Sequence, residues 1–201
     1  MKKLGLFGGT FDPPHLGHLI LAAEALHQLA LDYVLWVLTP EPPQKSGHTI
    51  SAWQTRMRLL QAAISSDPGF AISRVEIDRP PPHYAFETVR LIRQEYPDDE
   101  LVYLMGGDEF RDLATWRQPA DFIAACDAIG VMRRPADAVD LLALEREFPG
   151  VTDKVWFLAA PLIEISASEI RRRIGAGQPV RYFLPQPVFD LILEQQLYQV
   201  G

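Results

Sequence analysis

The string Gly8-Gly9-Thr10-Phe11-Asp12-Pro13-Pro14-His15-Leu16-Gly17-His18 collects groups that can hold a phosphate. Gly8 and Gly9 let the backbone come close to a ligand and offer amide N–H donors, as phosphate-cradling turns do. His15 and His18 are three apart at an expected helix start, so they share a face beside the positive end of the helix dipole. A Gly-Gly pair by itself is most often plain turn punctuation, and His-x-x-His without a third ligand nearby makes a poor metal site. The whole string is more specific than these parts. It has neither the G-x-G-x-x-G nor the G-x-x-x-x-G-K-[ST] pattern, so two familiar phosphate grips do not apply. A second constellation is Ile165-Ser166-Ala167-Ser168-Glu169-Ile170-Arg171. Ser166 with Glu169 has the form of a capping box, which alone says only that a helix begins there. Arg171 adds a guanidinium that can clamp phosphate oxygens held by the hydroxyls and amides of the first turn. Arg172 and Arg173 fall elsewhere around that helix, where solvated surface is expected.

The elements that must position these groups alternate between two periods. Strand character is expected at 4–7, 33–38, 70–77, 101–105, 128–132 and 155–158. Helical spacing runs through 16–29, 86–95, 137–147, 167–174 and 188–197. Ser51 to Gln54 reads as a capping box opening a helix to Ile64, and Pro119 opens another to Ala125. Strands alternating with helices imply a parallel sheet, because parallel neighbours need crossovers and the crossover helices must cover its faces. The expected fold is α/β: a single doubly wound, Rossmann-like parallel sheet with helices on both faces, formed by residues 1–201 as one domain. Proline clusters at Pro40 to Pro43 and Pro80 to Pro82 read as stiff loops. Ligands of such sheets bind beyond the carboxyl ends of the strands, where the strand order reverses.

At 201 residues, 48% hydrophobic and 22% charged, the chain has the balance of an ordinary water-soluble domain. The lone Cys126 excludes an intrachain disulfide and a cysteine zinc site, and a reducing cytosol is the compartment expected. Nothing approaches the ~18 apolar residues of a membrane span, and Met1-Lys2-Lys3 is followed by glycine and a polar turn too soon for a signal-peptide core. The formal charge of −7 disfavours sequence-independent binding to nucleic acid. An anionic ligand must therefore be met by local cations: Lys45, Arg56, Arg133, Arg134 or the run Arg171 to Arg173.

Together the two strings resemble the G-x-F-x-P-x-H-x-G-H and I-S-x-[ST]-x-x-R signatures of the nucleotidylyltransferase superfamily. Within it the chain is similar to the bacterial nicotinate-nucleotide adenylyltransferases. The likeness runs through Gly8 to His18, Pro40 to Lys45, Arg56-Met57, Asp78 to Thr88, Gly106 to Trp116 and Ile165 to Arg171. It implies transfer of AMP from ATP to nicotinate mononucleotide, giving deamido-NAD and pyrophosphate, with Mg²⁺ carried on the ATP phosphates and no metal held by side chains. It also implies roles: His15, His18, Lys45 and Arg171 in catalysis, and Gly8, Gly9, Thr10, Phe11, Gly106, Asp108, Ile165, Ser166 and Ser168 in ATP binding. Tyr84, Ala85, Thr88, Trp116 and Arg133 would face the mononucleotide, whose ring and carboxylate the family holds largely through backbone amides. Trp116 has a competing reading as an ordinary half-buried aromatic, and Asp108 as a helix N-cap. The chain departs from the family at Gln44, His83, Ala85 and Ala167, where His, Ser, Thr and Ser are usual. Two rivals stand beside this reading. One is another member of the superfamily, a pantetheine-phosphate adenylyltransferase or a cytidylyltransferase; the other is a nucleotide sensor without turnover. Self-association stays open.

Overall fold

The computed structural model describes residues 1–42, 50–132, 140–161 and 164–199. Among the described residues six parallel strands form one sheet: β1 (Lys3–Gly9), β2 (Tyr33–Leu38), β3 (Phe70–Ser73), β4 (Glu100–Gly106), β5 (Ala128–Met132) and β6 (Val155–Leu158). Their order is β3-β2-β1-β4-β5-β6, with every neighbouring pair parallel. The chain therefore winds outward from β1 in one direction and from β4 in the other. The helices are α1 (Leu16–Gln28), α2 (Trp53–Ile64), α3 (Ala85–Glu95), α4 (Gly107–Arg111), α5 (Pro119–Ala125), α6 (Leu141–Glu147), α7 (Val151–Lys154), α8 (Ala167–Gly175) and α9 (Gln186–Glu194). Short 3-10 turns occupy Leu113–Thr115 and Arg181–Phe183.

The sheet is apolar on both sides, which is why β2 reads as an unbroken Tyr-Val-Leu-Trp-Val-Leu run. On one face Phe7, Trp36 and Leu104 pack with Leu21 and Ala25 of α1, Leu60 of α2, Ile170 of α8 and Ile192 of α9. On the other, Leu6, Leu35, Met105 and Ile129 pack with Val89 and Ile92 of α3, Phe110 of α4 and Phe122 of α5. Each fully buried Leu or Ile contributes roughly 1.5–3 kcal/mol through removal from water.

Several boundaries differ from the sequence expectation for local reasons. The third strand ends at Ser73 instead of running to residue 77. The Ser73 hydroxyl accepts the Val75 N–H (3.3 Å), and the chain then turns as Ile77 and Asp78 donate to the Arg74 carbonyl. Ser51 does not cap α2; the N-cap is Ala52, and the Ser51 N–H is instead drawn to the Asp12 carboxylate (3.1 Å). Asp108 is not an N-cap either. Gly106 holds that position, with its N–H donated to Glu109 (3.2 Å). Asp140, whose carboxylate accepts the Ala143 N–H (2.9 Å), caps α6.

Candidate active site

Strand order reverses between β1 and β4, so the loops leaving these two strands flank a crevice at the carboxyl edge of the sheet. The loop after β1 turns at Phe11, whose φ of 48° is unusual for a bulky side chain. Its buried ring packs against Phe7 and Trp36 at centroid distances of 5.5 and 5.2 Å. It also covers Gly9, where a Cβ would come within 2.8 Å of the ring. A Cβ on Gly8 would meet the Tyr103 hydroxyl at 2.8 Å. Both glycines close β1, paired with Val37 and Leu38 of β2, instead of lying in the loop as expected; their missing side chains make room for protein atoms, and what the loop beyond them can offer a phosphate is its amides.

His15 is the N-cap of α1 and His18 its third residue. The His15 N–H donates to His18 Nδ1 (3.2 Å), half of a capping box made with an imidazole. In the neutral ring the hydrogen therefore sits on Nε2. The two rings stack with centroids 3.6 Å apart, and the edge of Phe11 meets His18 at 5.1 Å. These contacts fix both imidazoles at the positive end of a 13-residue helix.

The opening of α8 arrives at the same place. A Cβ on Gly17 would lie 3.8 Å from the Ile165 carbonyl oxygen, and Arg171 Nη1 donates to the Asp12 carbonyl (2.7 Å). The two strings singled out in the sequence are thus in direct contact. Ser166 caps α8 by accepting the Glu169 N–H (3.3 Å), and its hydroxyl lies 3.2 Å from that of Ser168. Glu169 does not complete a capping box. Its carboxylate pairs with Arg172 (2.7 Å) and Arg173 (2.9 Å), which push its pKa down to about 2. Ala167 is the first residue of the helix and Arg171 is half-buried.

Arg56 belongs to a different category from the one its charge suggests. It is 1% exposed, and its guanidinium donates to the carbonyls of Ser51 (2.8 Å), Thr10 (2.8 Å), Thr39 (2.8 Å) and Pro40 (2.6 Å). It clamps the β1–α1 loop to both ends of the β2–α2 connection and has little left for an anion. Asp12, which the sequence did not single out, is 3% exposed. One of its carboxylate oxygens accepts the Ser51 N–H and the other the Tyr198 hydroxyl (2.8 Å). Nothing in the spacing of the chain signals that Tyr198 reaches this loop.

The loop from β3 to α3 carries the segment expected to face the second substrate. Tyr84 caps α3, and its carbonyl takes the N–H groups of Glu87 and Thr88. The N–H groups of Ala85 and Phe86 precede these bonds, as the first amides of any helix do. Thr88 is buried, with its hydroxyl donating to Glu76 (2.5 Å) and accepting from Arg79 Nη2 (3.2 Å), so it fixes the segment. Arg79 also binds Glu87 (2.9 Å) and the Pro82 carbonyl (2.8 Å). His83, 5% exposed, has its pKa lowered by burial and is neutral at pH 7. Trp116 is half-buried, 5.2 Å from Phe122 and 6.3 Å from Tyr103, on the side of the sheet where α5 packs against α3. Asp108 lies beside Gly106, whose Cβ would come within 2.5 Å of the Asp108 carboxylate. Lys45, Arg133 and Arg134, together with the departure at Gln44, lie outside the described residues.

Among the described residues no three His, Cys, Asp or Glu side chains gather as a metal cluster. The groups that do converge are N–H, hydroxyl and guanidinium donors. Such a set suits a metal ion that arrives with its oxygen ligands on a triphosphate. No helix among the described residues is long and apolar enough to cross a membrane.

The cytidylyltransferase-like family matches residues 6–173. A protein of Thermomicrobium roseum named "Probable nicotinate-nucleotide adenylyltransferase" is 43% identical over 99% of this chain and 92% of its own. One of Thermus thermophilus with the same name is 37% identical, covering 98% of this chain and 100% of its own. Among solved structures, a Plasmodium falciparum nicotinic acid mononucleotide adenylyltransferase complexed with NaAD superposes with a TM-score of 0.82 at 15% identity. That match covers 98% of both chains. It establishes a shared fold.

Proposed function

Because the chain belongs to the nicotinate-nucleotide adenylyltransferase family, we propose that it transfers AMP from ATP to nicotinate mononucleotide, giving deamido-NAD and pyrophosphate. The observation that carries this reading is the meeting of the two helix openings. Arg171 bonds the Asp12 carbonyl at 2.7 Å and the Ile165 carbonyl abuts Gly17, at the switch point of the sheet.

The chemistry asks little of the side chains beyond placement. An oxygen of the mononucleotide phosphate attacks the α-phosphorus of ATP, a new P–O bond forms, and the bond to the bridging oxygen of the leaving pyrophosphate breaks. The attacking phosphate monoester is ionised near neutral pH, so no general base is needed. What remains is to align two anions in line and to neutralise the charge that grows on the leaving group. The His18 Nε2–H, the His15 imidazole, the amides of Gly8 to Phe11 and the guanidinium of Arg171 act on the triphosphate. The Ser166 and Ser168 hydroxyls add donors at the start of α8, while Gly106, Asp108 and Ile165 border the nucleoside. Mg²⁺, when bound to the phosphate oxygens, supplies further charge neutralisation. Lys45 and Arg133 take their roles, toward ATP and the mononucleotide respectively, from their places in the family pattern.

On the acceptor side, the first amides of α3 at Ala85 and Phe86 would receive the nicotinate carboxylate, with Tyr84 beside them. Thr88 and Arg79 hold that turn in shape, and Trp116 offers the pyridine ring a flat face. The replacements at His83 and Ala85 leave backbone donors in place.

The test supplies ATP and Mg²⁺ with nicotinate mononucleotide, nicotinamide mononucleotide or phosphopantetheine, and follows pyrophosphate together with the adenylylated product. The expected outcome is fastest release with nicotinate mononucleotide. Faster turnover of phosphopantetheine would assign a different acceptor, and ATP binding without pyrophosphate from any acceptor would mark a sensor.

A further inference from the structure

The tail beyond α9 takes two turns that side chains resist. Gln196 and Tyr198 have φ of 50° and 63°, the left-handed region that favours glycine. The turn at Gln196 ends the helix in the usual way: the Leu197 N–H returns to the Ile192 carbonyl (3.0 Å), six residues spanning the last turn. Tyr198 is held by its side chain. The ring packs at the margin of the core shared by α1, α2 and α9, and the hydroxyl donates to Asp12 Oδ1 (2.8 Å). Burial and then the Asp12 carboxylate raise the pKa of this phenol, so it remains a donor at any working pH. Backbone held in an unfavourable region near a candidate site is a reason to ask what the constraint accomplishes.

Asp12 is where the constraint acts. Its Oδ2 takes the Ser51 N–H, its Oδ1 takes Tyr198, and its carbonyl takes Arg171 Nη1. An aspartate whose own carbonyl takes a guanidinium N–H can also offer its carboxylate, and a carboxylate and a guanidinium within reach favour a two-pronged ion pair. Here each carboxylate oxygen already holds a partner, and among the described residues the arginine donates only to the neutral carbonyl. The planar fork of Arg171 is then oriented by one N–H while its others stay available.

We propose that Tyr198 is a positioning residue for adenylyl transfer: by occupying the Asp12 carboxylate, it keeps that charge from capturing Arg171 and leaves the guanidinium turned to the phosphates. The proposal rests on reading Arg171 as the phosphate clamp. Removing the hydroxyl frees Oδ1 to pair with Arg171. The clamp is then withdrawn, though every group that would touch substrate is still present. Misplacement of a catalytic group by about 1 Å can cost up to about a hundredfold in rate.

The experiment is a double-variant cycle on the full chain with Tyr198→Phe, Arg171→Ala and the pair, after thermal melts establish that each is folded at the assay temperature. Tyr198→Phe is expected to lower kcat about tenfold and to weaken ATP binding severalfold, with KM for the mononucleotide within about twofold. In the Arg171→Ala background the same change is expected to have no further effect, because the group it acts through is gone. Asp12→Asn added to Tyr198→Phe removes the competing charge and is expected to restore part of the lost rate. Two results would overturn the proposal: a lower melting temperature with unchanged kcat in the folded enzyme, or losses that simply multiply in the double variant. If the wild type binds ATP but turns over no acceptor, the catalytic reading fails, and the same cycle is read in ATP dissociation constants by calorimetry. If it does not bind ATP, both readings fall.

Discussion

Arg56 and Arg171 carry the same charge in the same neighbourhood, and their hydrogen-bond partners separate their work. Arg56 spends its donors on four carbonyls from two loops, whereas Arg171 donates to the one at Asp12. Arg56→Ala would leave buried carbonyls unsatisfied and is expected to lower stability by at least about 3 kcal/mol. In a chain of this size that corresponds to a melting temperature lower by roughly 6–12 °C, readable by calorimetry. A small thermal shift with a large loss of ATP affinity would instead make Arg56 a ligand. His18→Ala is expected to behave oppositely. The lost Nε2–H would act most as charge develops, so kcat should fall by roughly a hundredfold while ATP affinity changes far less. An effect confined to ATP affinity, measured by titration beside steady-state kinetics, would refute that assignment. Both residues were visible in the sequence as cations or donors. Burial and partners, which decide between clamp and ligand, were not.

At the scale of elements, α8 shows how far local spacing carries and where it stops. Ser166 three residues before Glu169 correctly placed the start of the helix, and Ser166 takes the Glu169 N–H as expected. The reciprocal contact is missing because Arg172 and Arg173, three and four residues on, compete for the carboxylate and win. Glu169 has its pKa depressed from 4.5 to about 2 by these arginines, so the stabilisation they provide is present above pH ~4.5 and disappears as the pH falls toward 2. Thermal melts of Glu169→Gln against the wild type are expected to show their full difference at pH 6 and a shrinking one below pH 4.5. A difference unchanged from pH 6 to pH 3 would mean that these ion pairs contribute nothing measurable, as exposed pairs sometimes do. The third strand gave the opposite lesson. Val75 and Ile77 keep the two-residue period of a strand, though out of phase with Phe70 and Ile72, yet the Ser73 hydroxyl takes the Val75 N–H and the chain turns, which lodges Glu76 in the interior beside Thr88.

For the whole molecule, two apolar layers close over a single sheet, and Cys126 reports on both the closure and the ligand. The thiol is 1% exposed and burial pushes its pKa up to about 12, so almost no thiolate is available in the native state. Iodoacetamide at pH 8 is expected to modify it only through unfolding. ATP with Mg²⁺ at about 100 times its dissociation constant is expected to slow that reaction about a hundredfold, since ligand binds only the folded chain. Mass spectrometry over time measures the rate, and rapid labelling of native protein would show a local opening that the packing does not suggest. The alternation of strands and helices made a parallel, two-faced sheet legible in advance. The strand order was not, because nothing in a segment records which neighbour it will pair with.

The sequence by itself determined the period of the six strands and the longer helices, the parallel α/β class and the two strings whose donors suit a triphosphate. These are local properties, written within a few residues of where they act. Only the tertiary structure decided that the strings touch, through a bond from Arg171 to a carbonyl 159 positions away. It alone revealed that Arg56 is spent on backbone, and that Tyr198 crosses 186 positions to hold Asp12. Such partnerships depend on the winding of the sheet about its switch point, and that winding is settled by packing the whole chain at once.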